Sequence, residues 1–262
     1  MIDIGANLAG EAFAKDLAAV LARASEHGVK KIIVTGSSLA DSEAALALSR
    51  AHPGVLYATA GIHPHAASQL ESGSIAQLAQ LLAHPAVVAI GETGLDFNRN
   101  YSSSDDQMQS FEAHLQLARQ VDKPLFLHER DAFEPFFELM REHSSLGERA
   151  VLHCFTGNRK ALKSYLDLGM YIGITGWICD RKRGAELREI INYAPLERLM
   201  IETDAPYLMP HREQLKHQLA HKNRNEPWTL KHTATALATA LNIDLAQLQH
   251  ATCANAERFF RL

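Results

Sequence analysis

The 262-residue sequence predicts an α/β fold, a (β/α)8 TIM barrel, and three observations carry that prediction. Short apolar, β-branched runs alternate with amphipathic stretches along the chain, the pattern of βαβ units around a parallel sheet. Eight such runs fall within about 200 residues, which suits a closed barrel better than an open doubly wound sheet. The phosphate turn an open sheet would carry after its first strand is missing. GANLAG (5–10) has two glycines, wrongly spaced for GxGxxG, and no Walker A sequence occurs.

Taken in order, the first strand is IDI (2–4), followed by an amphipathic stretch at 11–26. KIIVT (31–35) precedes a helical stretch at 39–50, and LYATAGI (56–62) precedes one at 75–83. VVAIGE (87–92) leads into 105–121, and PLFLH (124–128) into 133–142. AVLH (150–153) leads into 159–168, and MYIGIT (170–175) into 183–191. LMIET (199–203) is the eighth strand, and two closing helices are expected at 228–241 and 245–260. No linker or composition break interrupts the series, so a single domain over 1–262 is expected.

A hydrophobic fraction of 47% and a charged fraction of 21% exclude disordered and fibrous classes. With a net charge of −4 and a pI near 6.4, the chain has no global positive field to gather a polyanion. Any polyanion must be met by local basic groups or by metal ions. Residues 1–10 lack a basic start and an apolar core, and no run approaches 18 apolar residues. Cys154, Cys179 and Cys253 are too few and too scattered for a disulfide framework or a CxxC knuckle. A cytoplasmic, reducing setting without membrane contact is expected.

Barrel enzymes carry their chemistry at the C-terminal ends of strands. Five runs here end in His, Glu or Asp: GIHPH (61–65), GETGLD (91–96), LFLH (125–128), VLH (151–153) and IETD (201–204). Alternation along a strand predicts that Ile90 and Glu92 point together toward the barrel axis, as do Phe126 and His128. Glu202 and Asp204 share a face in the same way. Imidazoles with carboxylates form a mixed nitrogen and oxygen shell for a borderline or hard divalent ion. A carboxylate such as Glu92 can also bridge two ions. Metal lowers the pKa of bound water, so hydrolysis is the natural chemistry. The plainer alternative makes each of these residues an isolated, hydrogen-bonded strand cap. Nucleophilic catalysis competes poorly: GxSxG is absent, and Cys154 faces away from His153 as its strand neighbour, which suits a packed apolar thiol.

The strings GIHPH (61–65), AIGETGLDFNR (89–99), LHERDA (127–132), VLHCFTG (151–157), YIGITGW (171–177), IETDAPYL (201–208) and NRNEP (223–227) resemble the TatD family of metal-dependent nucleases, in order and over essentially the whole chain. The resemblance implies a barrel of the metal-dependent hydrolase type and divalent-metal-dependent DNase activity. The branch most similar to this sequence acts as a 3′→5′ exonuclease on single-stranded DNA and RNA. By the same resemblance Glu92, His128, His153 and Asp204 bind metal, and Asp204 positions or deprotonates water. His63, with His65 beside it, meets the substrate phosphate. Glu202 takes a role behind the metal or its water. A part in DNA repair or DNA degradation also follows from resemblance alone.

Many relatives begin with an HxH pair that supplies two ligands, where this chain has Gly5 and Asn7. Glycine offers no side chain, and a neutral amide replaces imidazole poorly. Asn7 is therefore expected behind the ligands, and one metal position weak, water-rich or absent. One or two ions are expected, with Mg²⁺ favoured over Mn²⁺ or Zn²⁺ because it tolerates retained waters and few carboxylates. The expected partner is nucleic acid, handled by a monomer with no obligate protein partner.

Arg99, Arg130, the run 181–183 and Arg224 fall on expected mouth loops, where they either neutralise phosphates or form ordinary solvated surface. Trp177 either stacks a base or packs the barrel lip. The long loop 206–227 carries His211, His217 and His221; the last two are i,i+4 and would chelate only if helical. Two other classes stay open. One is an amidohydrolase- or phosphotriesterase-like enzyme, whose bridging strand-four lysine and HxH pair are both lacking here. The other is a metal-poor barrel that only binds.

Overall fold

The computed structural model describes residues 1–211, 215 and 218–262. Eight parallel strands run in sequence order: β1 (Ile2–Ala6), β2 (Lys31–Val34), β3 (Leu56–Ala60), β4 (Val87–Asp96), β5 (Leu125–Arg130), β6 (Ala150–Leu152), β7 (Tyr171–Ile174) and β8 (Leu199–Ile201). Just beyond β8 the ring meets its first strand: Asp204 N donates to Gly5 O at 2.9 Å, and Asn7 N to Ala205 O at 2.7 Å. The expected TIM barrel is therefore the observed fold. Among the described residues its α-helices are α1 (Leu17–Glu26), α2 (Leu39–Ala51), α3 (Ser74–Leu82), α4 (Ser104–Gln120), α5 (Phe133–Glu142), α6 (Arg159–Asp167), α7 (Ala185–Ile190), α8 (Leu230–Leu241) and α9 (Leu245–Phe260). Side chains of Ser38, Ser103, Asn158 and Asp244 cap α2, α4, α6 and α9 by accepting N–H groups of the first turn.

Two helices start later than their periodicity suggests, each because a side chain competes for backbone groups. Residues 10–16 form turns rather than the start of α1, with Arg224 taking the Ala12 carbonyl at 2.7 Å and Phe13 buried under its guanidinium. Before α7, Asp180 Oδ1 accepts the N–H groups of Lys182 and Arg183 at 3.0 and 2.8 Å. Among the described residues no helix is long and apolar enough to cross a membrane.

Most of the core lies in two layers, with a small third cluster of Leu215, Leu219 and Trp228 at the long loop. Ile4, Ile33, Ala89, Phe126, Val151 and Met200 fill the barrel interior. Phe259 and Phe260 of α9 join this layer, with Phe259 packed 4.9 Å from Tyr171. A second, larger cluster lies between the strands and the surrounding helices. Ile90 belongs to that outer cluster, not to the interior. This corrects the simple alternation expected for Ile90 and Glu92. Between Ile90 and Thr93, β4 uses three residues where β5 uses two, from Leu125 to Leu127. The bulge reverses the side-chain parity and sends Glu92 inward although Ile90 points outward. Gly91 makes the bulge feasible: its φ is +139°, and a Cβ there would stand 2.1 Å from the Phe126 carbonyl oxygen. For Phe126 and His128 the alternation holds, because β5 is regular there.

Candidate metal centre

Beyond the bulge β4 continues to Asp96, paired with β5 through Gly94 to His128 and Asp96 to Arg130. These two strands reach further toward the mouth than their neighbours and carry the centre. Glu92 is buried, and three imidazole nitrogens approach the same one of its two oxygens, Oε1: His153 Nε2 at 2.7 Å, His128 Nδ1 at 2.9 Å and His63 Nε2 at 3.3 Å. His63, Glu92 and His128 each present one ligand atom, all within 4.8 Å of one another. The His63 ring is oriented by its own loop: His65 N–H donates to His63 Nδ1 at 3.0 Å, leaving the proton of the neutral ring on Nε2, toward Glu92.

The ring of His128 is held from both sides. Its Nε2 lies 3.3 Å from Asp96 Oδ2, which also lies 2.9 Å from His65 Nε2. The other Asp96 oxygen accepts the N–H groups of Asn98 and Arg99 at 3.0 and 2.9 Å. On the opposite side His153 Nδ1 faces Glu202 Oε2 at 3.4 Å, while Glu202 Oε1 accepts Cys154 N–H at 2.6 Å. Asp204, at φ +52°, has Asn7 Nδ2 3.2 Å from its Oδ1. Left-handed backbone at a residue with a Cβ is strained and tends to gather at functional sites. Cys154, at φ +48°, shares it.

The electrostatics follow from the packing. Burial alone would raise the Glu92 carboxyl, but the His153 imidazole and hydrogen bonds from His128 and His153 hold it well below the carboxylate range. Burial works against a charged His153, yet Glu92 and Glu202 raise it well above the ordinary imidazole value. His128 rises through Asp96 and Glu92, again against burial. Burial lowers His63. Burial also pushes Asp204 up to about 7, with Glu92 and Glu202 adding to the rise. Cys154 is pushed up to about 12 by burial, which holds its thiol protonated and ill suited to nucleophilic attack.

The donor set suits a divalent cation. Nitrogens of His63, His128 and His153 and the buried Glu92 carboxylate converge within a few ångströms, the mixed nitrogen and oxygen set such an ion takes. Strand one explains its own departure from HxH. A Cβ on Gly5 would stand 2.5 Å from Glu202 Oε2 and 2.9 Å from Phe126 Cζ, so the Glu202 carboxylate fills the space a side chain would need. Asn7 supplies a donor to Asp204 in place of a ligand.

The residues expected at the substrate are dispersed. His65 packs beside His63 with ring centroids 4.3 Å apart. Arg130 donates to Thr156 Oγ1 at 2.9 Å and lies 5.1 Å from the Trp177 ring centroid, over which Arg183 also sits at 4.5 Å. Arg224 is engaged in ion pairs and largely buried. Its guanidinium is held by half-buried Asp16, at 2.6 and 2.7 Å, and by buried Glu226, at 2.9 Å, where it shares the Glu226 carboxylate with Arg23. In the long loop His221 lies 3.7 Å from Asp16. His217 lies outside the described residues.

Sequence reasoning passed over four residues that organise the centre. Asp96 had a signal, since it ends a strand, but nothing in the chain order pairs it with His65 and His128. Asn225 donates to Thr203 O and Tyr207 O at 3.1 and 2.7 Å and thereby pins the backbone on both sides of Asp204. Glu226, fully buried, accepts from Arg23 at 2.8 and 3.0 Å besides Arg224. His114, buried in α4, accepts Ile62 N–H at 3.1 Å immediately before His63.

A barrel with imidazoles and carboxylates gathered at the C-terminal ends of its strands falls among the hydrolase-type TIM barrels. Within that class the chain belongs to the TatD related DNase family, whose family model matches residues 2–261. It is 48% identical to the 3′-5′ ssDNA/RNA exonuclease TatD of Edwardsiella piscicida, over 100% of both chains. To the protein of the same name from Salmonella typhimurium it is 45% identical, over 100% of this chain and 99% of the other. Among solved structures, a TatD homologue from Escherichia coli K12 matches with a TM-score of 0.89 at 28% identity, covering 100% of this chain and 98% of that one.

Proposed function

We propose that this protein is a divalent-metal-dependent nuclease that removes nucleotides from the 3′ end of single-stranded DNA and RNA. The observation that carries the reading is the convergence of His63, His128 and His153 on one oxygen of Glu92 in a barrel of the TatD related DNase family. Glu92, His128 and His153 would hold the ion together with Asp204, and His63 stands close enough to join them. Mg²⁺ is the proposed ion, because strand one adds no imidazole and leaves coordination to water. When bound, the ion supplies Lewis acidity to a phosphate oxygen and lowers the pKa of a water.

The chain's own residues do the rest. Asp204, raised toward neutrality and oriented by Asn7, takes the proton of the attacking water. The water oxygen bonds to phosphorus as the bond from phosphorus to the leaving sugar oxygen breaks. Asp96 fixes His128, and Glu202 backs His153, so both rings hold their direction. His65 and Arg130 orient the phosphate at the rim, with Trp177 beside them.

The test is cleavage of 5′-labelled single-stranded and duplex DNA, with Mg²⁺ and with EDTA, wild type beside Glu92→Ala. A Mg²⁺-dependent ladder shortening from the 3′ end, reduced at least about 10³-fold in the variant, is expected. Uncut DNA and RNA under Mg²⁺, Mn²⁺ and Zn²⁺ would sink the reading and favour a small-molecule hydrolase.

A further inference from the structure

Large apolar side chains exposed by more than a third are few among the described residues, and three of them are tyrosines: Tyr101 (66% exposed), Tyr207 (62%) and Tyr193 (53%). Tyr193 is covered on one face by Arg159, 3.9 Å from its ring centroid. The other two stand at the mouth. Tyr101 follows β4 and Tyr207 follows β8, strands four places apart in a ring of eight and so opposite one another across the barrel. The metal centre lies between them.

Each is anchored next to that centre by its own neighbours. The Tyr101 ring meets His65 edge to face at 4.7 Å, and its hydroxyl accepts from Arg99 Nη1 at 3.4 Å. Tyr207 follows Asp204 by three residues; its N–H donates to the Asp204 carbonyl at 2.9 Å, and its own carbonyl accepts from Asn225. It lines a cavity of about 660 Å³, room for a nucleotide, where Lys15, Lys222 and Arg224 outnumber the carboxylates Glu11 and Asp16. Fixed backbone, an exposed ring and a nearby cation are what a base-stacking platform needs.

We propose that Tyr101 and Tyr207 are stacking platforms for unpaired bases on the two sides of the metal centre, so that a single strand crosses the mouth from one to the other. This rests on the nuclease reading above and deepens it. Bases held in a duplex cannot turn their faces to side chains, so paired platforms select single-stranded nucleic acid without reading its sequence.

The experiment compares Tyr101→Ala, Tyr207→Ala and the corresponding Trp variants with wild type on two oligonucleotides. One is an ordinary single strand; the other carries abasic residues at its three 3′-terminal positions. On the ordinary strand each Ala variant should raise KM roughly tenfold, with the loss in kcat much smaller, and Trp should restore KM. The abasic strand should bind wild type more weakly, and the Ala variants should lose nothing further on it. Equal KM values for wild type and both Ala variants on the ordinary strand would overturn the platforms while leaving the nuclease intact. Failure of the wild type to cut either strand would instead overturn the nuclease reading, and the platforms with it. Both rings are exposed, so thermal melting should be unchanged and loss of fold does not imitate the effect.

Discussion

Asp96 Oδ2 lies 3.3 Å from Nε2 of His128, on the side of the ring opposite Nδ1, which lies 2.9 Å from Glu92 Oε1. A carboxylate behind an imidazole fixes the ring's direction and raises its basicity. Asp96 itself is held as an anion: burial opposes this, but hydrogen bonds from His128, the Arg99 backbone and His65 lower its carboxyl below the ordinary value. Asp96→Asn should keep the shape and lose the charge. Affinity for Mn²⁺, measured by calorimetry, should fall about 10- to 100-fold. Unchanged affinity would remove Asp96 from the centre.

Gly5 and Glu202 compete for one volume. Gly5→Ala should cost about 1–3 kcal/mol in urea unfolding, because the new methyl meets Glu202 Oε2 and the Phe126 ring. In a Glu202→Ala background the same change should cost clearly less, since the carboxylate has gone. Equal costs in both backgrounds would mean that Phe126 alone sets the limit.

Asn225 fastens the loop that bears Asp204. Asn225→Ala leaves the carbonyls of Thr203 and Tyr207 and the hydroxyl of Thr229 without this partner. We expect a loss of about 2–4 kcal/mol in stability. Among molecules still folded, kcat should drop at least about tenfold, because an ångström of displacement at a catalytic carboxylate is costly. Full activity in the folded fraction would disprove the link between this loop and Asp204.

Acid should loosen the fold through His114. Its buried ring must stay neutral to accept the Ile62 N–H, and burial pushes its pKa down to about 4 from 6.5. The folded value is depressed, so its stabilising contribution is complete above pH 6.5 and is lost as pH falls toward 4. Over that window the loss is about 3 kcal/mol. His114→Gln retains an acceptor and does not titrate. The difference in urea midpoint between variant and wild type should therefore shift in the variant's favour from pH 7 to pH 5. A difference constant with pH would contradict this.

The eight strands, their order and most helix positions were legible in the chain, because local periodicity and strand-end chemistry suffice for a barrel in which each element packs beside the next. That Glu92, His128, His153 and Asp204 reach one mouth was legible for the same reason: in a parallel barrel every strand ends there. Position in three dimensions decided the rest. A one-residue bulge at Gly91 turned Glu92 inward against the alternation, and only cross-strand register records it. Arg224 is taken up by Asp16 and Glu226, carboxylates from distant parts of the chain that meet it only in the fold. His63 came within reach of Glu92, and Asp96 came to rest behind His128, because separate strands brought them there. Sequence order determined which groups reach the mouth; the folded backbone determined which atoms face one another, since hydrogen bonds and desolvation act across distances that chain spacing does not encode.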